Sequence, residues 1–278
     1  MKYRHAFHAG NFADVTKHAV LVAALLRLAE KDRPLFLLET HAGSGRYELA
    51  QAGGEAQSGI ARVAAAGIEG THPALARYLA LVRGVNPEGA LRTYPGSPMI
   101  EAALMRAGDR AAFCELQPAE AQALRRLFRG DARIGVHCRD GFEALGALLP
   151  PREKRGLALI DPPYEETDAD FARVAEALST AAARWPQGVL MAWYPIKQGA
   201  LAARLHRRLL ALGVRRVLVA ELCVHPDDSR AGLNGSGLVT INPPWRLEED
   251  LRRLMPVLHA ALAERGAGRH RVILLGGN

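Results

Sequence analysis

Apolar side chains recur at helical spacing near the start of the chain. Between residues 13 and 32 they stand three or four positions apart, at Val15, Ala19, Val22, Leu25, Leu26 and Ala29. This spacing predicts an amphipathic helix, which Pro34 brings to an end. The short apolar run PLFLLET at 34–40 then leads into a glycine loop, an order that is typical of a buried strand followed by a turn.

Seven further apolar runs predict strands. They cover residues 111–115, 134–138, 157–160, 189–194, 214–223, 237–241 and 272–275. Helical patterns lie between most of these runs. Because strands that alternate with helices predict βαβ units, we expect a mostly parallel, doubly wound sheet of the Rossmann-like α/β class.

Residues 51–95 interrupt this alternation. The segment is too long for an ordinary strand-to-helix connection and has a helical pattern at Leu75, Leu79 and Val82, without a convincing strand. We therefore expect a small inserted helical subdomain at 51–95. Residues 1–50 and 96–278 would then form one catalytic domain, which is a chain length that a single core can serve.

Composition and charge narrow the class of partner. The 278 residues include 36 Lys and Arg against 29 Asp and Glu, a net charge of +7, and the isoelectric point is about 9.7. Such an excess favours nucleic acid as a partner, but the preference for Arg over Lys is also typical of GC-rich codons. Because the sequence has no signal core and no run near the ~20 apolar residues of a membrane span, we expect a cytoplasmic protein without a membrane partner.

Cysteine and histidine spacing gives no support to a metal centre. Cys114, Cys138 and Cys223 stand singly in apolar runs and are predicted to be buried thiols. His5 and His8 have the spacing of a metal-ligand pair, but no second pair accompanies them. We therefore expect no metal.

A glycine loop follows the first predicted strand. Residues 39–45 have the sequence ETHAGSG, in which Gly43 and Gly45 allow close approach of the backbone to a bound group. Glu48 stands where the dinucleotide fingerprint has its third glycine, and no Lys-Ser/Thr pair of a P-loop follows, which disfavours NAD and ATP. The loop indicates a nucleoside site of the kind that binds S-adenosylmethionine or, alternatively, an ordinary tight turn.

Two acidic positions could complete such a site. Glu115 ends the next long predicted strand, 72 residues after Gly43, or about 27 residues if the 45 residues of the insertion are subtracted. A carboxylate about 20 residues beyond the glycines commonly holds ribose hydroxyls, although a solvated strand-end acid is the alternative. Asp140, followed by Gly141, can cap a helix or accept a hydrogen bond from an adenine amine, and its position alone favours the cap.

The sequence Asp-Pro-Pro-Tyr at 161–164 is the most specific motif in the chain. Pro162 and Pro163 remove two backbone N–H donors and fix two φ angles, so that carbonyl groups are presented in a rigid turn. An adenine amine donates two hydrogens: Asp161 can accept one and the Pro162 carbonyl the other. Tyr164 offers a flat face for a flipped base. The alternative is a turn that ends a strand, in which Asp161 caps the next helix.

A second motif, Asn-Pro-Pro-Trp at 242–245, also follows an apolar run. Position in the sheet favours Asp161, because the fourth strand of a doubly wound sheet borders the first. Asn242 ends a late strand remote from the glycine loop. We expect residues 242–245 to form a strand-to-helix turn.

Taken together, these motifs resemble the RlmJ-type methyltransferases, which modify one adenine of 23S ribosomal RNA at its exocyclic nitrogen. The resemblance spans nearly the whole chain. It lies in YRHAFHAGNFAD at 3–14, Lys17-His18, THAGSGRY at 40–47, YPGSP at 94–98, DGF at 140–142, DPPY at 161–164 and NPPW at 242–245. Ser44 stands where the family usually has Ala, and the insertion and tail diverge.

The resemblance implies a class I S-adenosylmethionine-dependent methyltransferase sheet, S-adenosylmethionine as the methyl donor and S-adenosylhomocysteine as the product. The residues that it implies at the donor are His18, His41, Ser97, Glu115, Asp140, Gly141 and Asp161. Asp161 would also be the catalytic residue at the target amine. Tyr3 and Lys17 would contact the substrate base, alongside Pro162 and Tyr164. The expected partner is 23S ribosomal RNA, and the expected assembly is a monomer.

Three hypotheses about function are therefore open. The first is methyl transfer to N6 of an adenine in 23S ribosomal RNA. The second is a DNA adenine-N6 methyltransferase, because the four-residue motif recognises the amine and not the sugar, but the chain has no obvious large sequence-recognition domain. The third is a non-catalytic RNA-binding or ribosome assembly factor, which the positive charge would serve.

Overall fold

An eight-stranded sheet forms the centre of the molecule in the computed structural model, which describes residues 5–51, 54–164, 167–197, 199–226, 228–229, 232–263 and 266–276. The strands are β1 (Leu35–Glu39), β2 (Arg46–Glu48), β3 (Thr93–Pro95), β4 (Arg110–Glu115), β5 (Ile134–Cys138), β6 (Arg155–Ile160), β7 (Val189–Ile196), β8 (Val217–Cys223), β9 (Gly235–Ile241) and β10 (Arg269–Leu275). The pair β2–β3 forms a separate two-stranded ribbon.

Helices cover both faces of the large sheet. They are α1 (His5–His8), α2 (Phe12–Ala29), α3 (Glu55–Ser58), α4 (Ile60–Ala65), α5 (Pro73–Gly84), α6 (Ser97–Leu104), α7 (Pro118–Leu127), α8 (Gly141–Leu148), α9 (Thr167–Arg184), α10 (Gly199–Ala211) and α11 (Leu247–Leu262), with short 3-10 helices at Leu49–Gln51 and Glu69–Thr71. Among the described residues, no helix is long and apolar enough to cross a membrane.

The sheet is doubly wound. Its strand order is β10-β8-β9-β7-β6-β1-β4-β5, in which β7, β6, β1, β4 and β5 pair in parallel and the other pairs are antiparallel. From β1 the chain passes to one side for β4 and β5 and then returns to the other side for β6 and β7. This order confirms the predicted Rossmann-like α/β sheet. It places the topological switch point, where ligands bind in such sheets, beside the carboxyl ends of β1 and β6.

Two apolar cores lie on the two faces of the sheet. All five residues of β1 are buried, and side chains alternate along a strand. Leu37 therefore belongs to the core that includes residues of α2, α5 and α11, and Leu38 belongs to the core that includes residues of α8, α9 and α10. The strand therefore needs apolar residues at every position, as its sequence predicts.

The predicted elements agree with the observed ones within a few residues, with two differences: the ribbon of β2 and β3, neither of which was predicted, and the exposure of Cys138. The ribbon strand Thr93–Pro95 lies in the segment that was expected to hold no strand. Cys138 is exposed, not buried as predicted, because it ends the edge strand β5, which has a neighbour on one side only. Helix α5 packs on α2 in the same core, and the separation of 51–95 as a subdomain stays a prediction.

Candidate active site

The fold brings most of the predicted site residues to one edge of the sheet. His41, Glu115, Asp140 and Asp161 stand at the carboxyl ends of β1, β4, β5 and β6, which are parallel neighbours. Because parallel strands end at the same edge, positions more than a hundred residues apart in the chain become neighbours.

The glycine loop makes a tight turn that excludes side chains. Gly43 and Gly45 have φ angles of +61° and +77°, and a Cβ atom on Gly43 would stand 2.1 Å from the Tyr47 hydroxyl oxygen. Glu115 holds this loop from the next strand: its Oε2 accepts the Gly43 N–H at 2.8 Å, and its Oε1 accepts the Gln117 N–H at 2.7 Å. A carboxylate can accept about four hydrogen bonds, so Glu115 retains acceptor capacity for a diol.

Asp140 caps helix α8, as its position predicted. Its Oδ1 accepts the N–H groups of Phe142 and Glu143 at 2.7 and 3.1 Å, and its Oδ2 lies 3.1 Å from an Arg173 guanidinium nitrogen. These N–H donors and Arg173 outweigh partial burial and lower the pKa of Asp140. The next residue has no room for a side chain, because a Cβ on Gly141 would lie 1.9 Å from a backbone carbonyl oxygen at the end of β1.

Ser97 belongs to a buried acidic cluster. Its hydroxyl donates to Glu39 Oε2 at 3.0 Å, and Glu101 on the same helix is also fully buried. Burial and the neighbouring Glu101 raise the pKa of Glu39, and burial raises the pKa of Glu101. Oε1 of Glu39 and both carboxyl oxygens of Glu101 have no hydrogen-bond partner among the described residues. The cluster therefore holds hydrogen-bonding capacity that no described residue uses.

The structure brings one of the two predicted histidines to this edge and places the other on α2. His41 follows β1, its Nδ1 lies 2.7 Å from the Thr40 hydroxyl, and burial lowers its pKa to about 4. His18 is buried on α2, where its ring stacks on Tyr94 with a centroid separation of 5.5 Å. Each imidazole is therefore held in place by a neighbouring side chain.

A buried ion triad surrounds Asp161. Lys17 Nζ lies 2.6 Å from Asp161 Oδ2 and 2.8 Å from Asp14 Oδ1, and the side chains of all three residues are at most 10% exposed. Burial opposes the charge of Lys17, but the two carboxylates outweigh burial and hold its pKa well above the ordinary value. The triad carries one net negative charge if all three groups are ionised.

A cleft opens beside the triad, and aromatic side chains form one wall. Pro162, Pro163 and Tyr164 line it, together with Lys17 and Asp161. The Tyr164 hydroxyl donates to the Trp193 backbone carbonyl at 2.7 Å. Its ring also lies 5.0 Å from Phe171 and 5.6 Å from Trp193, centroid to centroid. These contacts fix the orientation of the Tyr164 ring.

Sequence reasoning missed several residues of this cleft, among them Trp193 and Asp14. Trp193 stands in the apolar run of β7, where nothing in the pattern distinguishes it from a core residue. Asp14 belongs to the N-terminal motif but was assigned no role. An acid and a lysine three residues apart on a helix, as here, are a signal for an ion pair, and this one could have been read from the sequence.

The second proline motif lies elsewhere. Asn242 follows β9, which runs antiparallel to β7, so it stands at the opposite edge of the sheet. Its side-chain amide donates to the carbonyl oxygens of Pro186 and Gly188 at 2.9 and 3.2 Å, and α11 begins five residues later. Tyr3 lies outside the described residues. Within those residues, no group of three or more His, Cys, Asp or Glu side chains is arranged to hold a metal ion.

The edge and the cleft together fit a nucleoside donor and a flat acceptor. A glycine turn with no room for side chains, a carboxylate beside it and a buried acidic cluster suit a nucleoside that carries a cationic tail. The cleft with Asp161 and Tyr164 suits a planar amine.

Comparison with known proteins gives consistent matches over the whole chain. A family model described as "Ribosomal RNA large subunit methyltransferase D, RlmJ" matches residues 32–274. The chain is 42% identical over 277 residues to ribosomal RNA large subunit methyltransferase J of Escherichia coli K12, with 98% of each chain covered. It is 41% identical over 274 residues to the protein of the same name from Haemophilus influenzae, with 96% of each covered. A crystal structure of a protein from Legionella pneumophila matches with a TM-score of 0.86 and 33% identity, over 97% of this chain and 98% of that one.

Proposed function

The chain belongs to the RlmJ family of ribosomal RNA large subunit methyltransferases, and we propose that it methylates the N6 amine of one adenine in 23S ribosomal RNA. Its fold is the Rossmann-like fold of S-adenosylmethionine-dependent methyltransferases, so it is an enzyme of this class. The N6 position, the 23S target, a monomeric state and a cytoplasmic location are parts of the proposal.

The geometry of Asp161 carries the proposal. Lys17 occupies Oδ2 of Asp161, and no other hydrogen bond to this carboxylate is found in the described part of the chain, so Oδ1 can accept from an amine. Pro162 and Pro163 have no N–H, and their turn supplies carbonyl acceptors beside the cleft. Asp161 and the Pro162 carbonyl would accept the two hydrogens of the amine and draw its nitrogen towards tetrahedral geometry.

The ion triad sets the charge of the acceptor. Lys17 Nζ lies 2.6 Å from Asp161 Oδ2 but is shared with Asp14 Oδ1 at 2.8 Å, so Lys17 does not neutralise the charge of the Asp161 carboxylate completely. Asp161 would therefore act as a hydrogen-bond acceptor for the amine.

The aromatic wall holds the base. The Tyr164 ring is fixed by its bond to the Trp193 carbonyl and by Phe171, so a flipped adenine can stack on it without ordering a mobile side chain. Such stacking contributes about 1–3 kcal/mol per base.

The donor would bind at the edge of the sheet beside the glycine loop. Its ribose hydroxyls would bond to Glu115, and its ammonium would lie near the buried acidic cluster of Ser97, Glu39 and Glu101. His41, Asp140 and Gly141 line the same edge. When bound, S-adenosylmethionine supplies an electrophilic methyl group on a sulfonium.

Methyl transfer to RNA is the direct test. The protein is incubated with labelled S-adenosylmethionine and protein-free 23S ribosomal RNA, and the product is mapped by nucleoside analysis. We expect N6-methyladenine at one position. Asp161→Ala should lower transfer at least ~100-fold, as does loss of one preorganised polar group in other enzymes, with little change in RNA affinity. Asp168→Ala, an exposed acid paired with arginines, is the control and should keep full activity.

Two outcomes would contradict the proposal. Equal or better transfer to a DNA oligonucleotide of matched sequence would favour the DNA enzyme, because contacts to the 2′-hydroxyl would then play no part. RNA binding without turnover in the wild type would favour a non-catalytic assembly factor.

A further inference from the structure

Three buried side chains form a hydrogen-bonded chain between α5 and α2. The hydroxyl oxygens of Tyr78 and Tyr94 lie 2.7 Å apart, and the Tyr94 hydroxyl lies 2.7 Å from His18 Nδ1. All three residues have a relative exposure of 0%. Burial raises the pKa of both phenols, so each keeps its proton.

The direction of these hydrogen bonds follows from the position of Tyr78. In the part of the chain that the structure describes, the Tyr94 oxygen is the one acceptor in reach of the Tyr78 hydroxyl. A buried hydroxyl without an acceptor is costly, so Tyr78 donates to Tyr94. The proton of Tyr94 is then left to donate to Nδ1 of His18. A neutral imidazole that accepts at Nδ1 carries its proton on Nε2.

We propose that Tyr78 and Tyr94 are positioning residues that fix His18 in the tautomer with the proton on Nε2, so that His18 donates to the carboxylate of the methionine part of S-adenosylmethionine. The inference rests on the proposed function for the identity of the donor. The carboxylate is the charged group of the donor that only accepts hydrogen bonds, and it is the natural partner of an N–H fixed in this way.

This hydrogen-bonded relay of Tyr78, Tyr94 and His18 assigns a role to the segment 51–95. Tyr78 lies on α5 and Tyr94 on β3, both inside that segment, while His18 lies on α2, the helix on which α5 packs. Through these two hydroxyls the segment would contribute to binding of the donor by setting the tautomer of His18.

Calorimetric titration of the full-length protein, without RNA, tests the relay. Tyr94→Phe should weaken S-adenosylmethionine binding about tenfold, which is the usual effect of losing one fixed hydrogen bond to a charged group. Tyr78→Phe should weaken it only about two- to threefold, because Tyr94 still has His18 Nδ1 as its acceptor. Tyr194→Phe is the matched control: it also removes a buried hydroxyl bonded to a histidine, His206 at 2.9 Å, and should leave the affinity unchanged.

A second ligand, which lacks the carboxylate, tests whether the effect on binding acts through that group. Decarboxylated S-adenosylmethionine keeps the nucleoside, sulfonium and amine, so Tyr94→Phe should change its affinity by less than about twofold if the relay acts through the carboxylate alone. An equal loss for both ligands would overturn the proposal, since it would indicate a general structural effect. An unchanged affinity of Tyr94→Phe for S-adenosylmethionine would overturn it too.

The tautomer can be observed directly by side-chain ¹⁵N NMR. In the wild type, the His18 ring should show a protonated Nε2 and an unprotonated Nδ1, and in Tyr94→Phe a mixture of tautomers. A wild-type ring with its proton on Nδ1 would refute the relay. This measurement needs neither donor nor RNA, so failure of the relay is distinguishable from failure of the proposed function, which would appear as absent RNA methylation.

Discussion

Replacement of Lys17 by methionine removes the cation that lies between two buried carboxylates. Methionine has a similar length, so the change removes charge without leaving a large cavity. The side chain of Lys17 is 4% exposed, and those of Asp14 and Asp161 are 8% and 10% exposed. Water can reach these carboxylates only from the cleft and is therefore a poor replacement for the lost partner.

The expected cost follows from these distances. At the observed separations of 2.8 and 2.6 Å, each ion pair has a Coulomb energy of about 6 kcal/mol at an effective dielectric constant near 20, and desolvation offsets much of it. Removal of one partner from a buried pair costs about 3–5 kcal/mol in other proteins. We expect Lys17→Met to lower the free energy of unfolding by about this amount at pH 8.

The stability deficit of Lys17→Met should also depend on pH in a definite direction. The pKa of Lys17 is raised in the folded state, so its contribution is fully present below the unfolded value near 10.5 and does not change between pH 5 and 8. In the variant, one of the two carboxylates left without a cation should take up a proton as the pH falls. The deficit relative to the wild type should therefore shrink between pH 8 and pH 5.

Urea unfolding at several pH values measures the effect. Lys197→Met is the control, because it also removes a lysine from the cleft but an exposed one, and should change stability by less than about 0.5 kcal/mol. A deficit for Lys17→Met below about 1 kcal/mol, or one that grows on acidification, would refute the reasoning about the triad.

Three further predictions concern the edge of the sheet at which we propose that the donor binds. Gly141→Ala places a Cβ atom 1.9 Å from a carbonyl oxygen and should destabilise the fold by about 1–3 kcal/mol in urea unfolding. Gly146→Ala on the same helix meets no atom within 4 Å and should stabilise it by about 0.5–1 kcal/mol. Glu115→Gln should weaken S-adenosylmethionine binding about tenfold in calorimetry, because a charged acceptor is lost. Glu143→Gln, at an exposed residue, is the control and should leave the affinity unchanged. Equal affinities of Glu115→Gln and the wild type would argue against a ribose contact. Burial lowers the pKa of His41 to about 4, so the unfolded chain binds a proton more readily than the folded one as the pH falls from 7 to 4. The free energy of unfolding should therefore fall by up to about 3 kcal/mol on this account, and His41→Asn should abolish that part of the loss.

The strands and the position of Asp161 could be predicted because their signals are local. A buried parallel strand needs an unbroken apolar run, and β1 and β6 have one. Once the order of strands is known, the end of β6 must lie beside the end of β1. The order of strands is therefore enough to predict that the motif at 161–164 lies near the glycine loop.

Other features depend on contacts that a sequence pattern does not encode. Lys17 and Asp161 are 144 residues apart, and nothing in either segment indicates the other. The ribbon strand at 93–95 is three residues long, too short to show a period. An edge strand and a central strand have the same apolar run, so the exposure of Cys138 could not be seen in advance.

Consecutive residues of α2 serve the two halves of the proposed site. Because each residue of a helix is rotated by about 100° from the last, Lys17 can point to Asp161 in the cleft while His18 points to Tyr94. Fifteen of the eighteen residues of α2 are buried, so the helix cannot shift without disturbing the core on which it packs. In the proposed mechanism, one rigid element would thus fix the distance between Lys17, which pairs with the amine acceptor Asp161, and His18, which is assigned to the donor. In-line methyl transfer would require such a fixed geometry, which would account for a lysine and a histidine side by side in a buried helix.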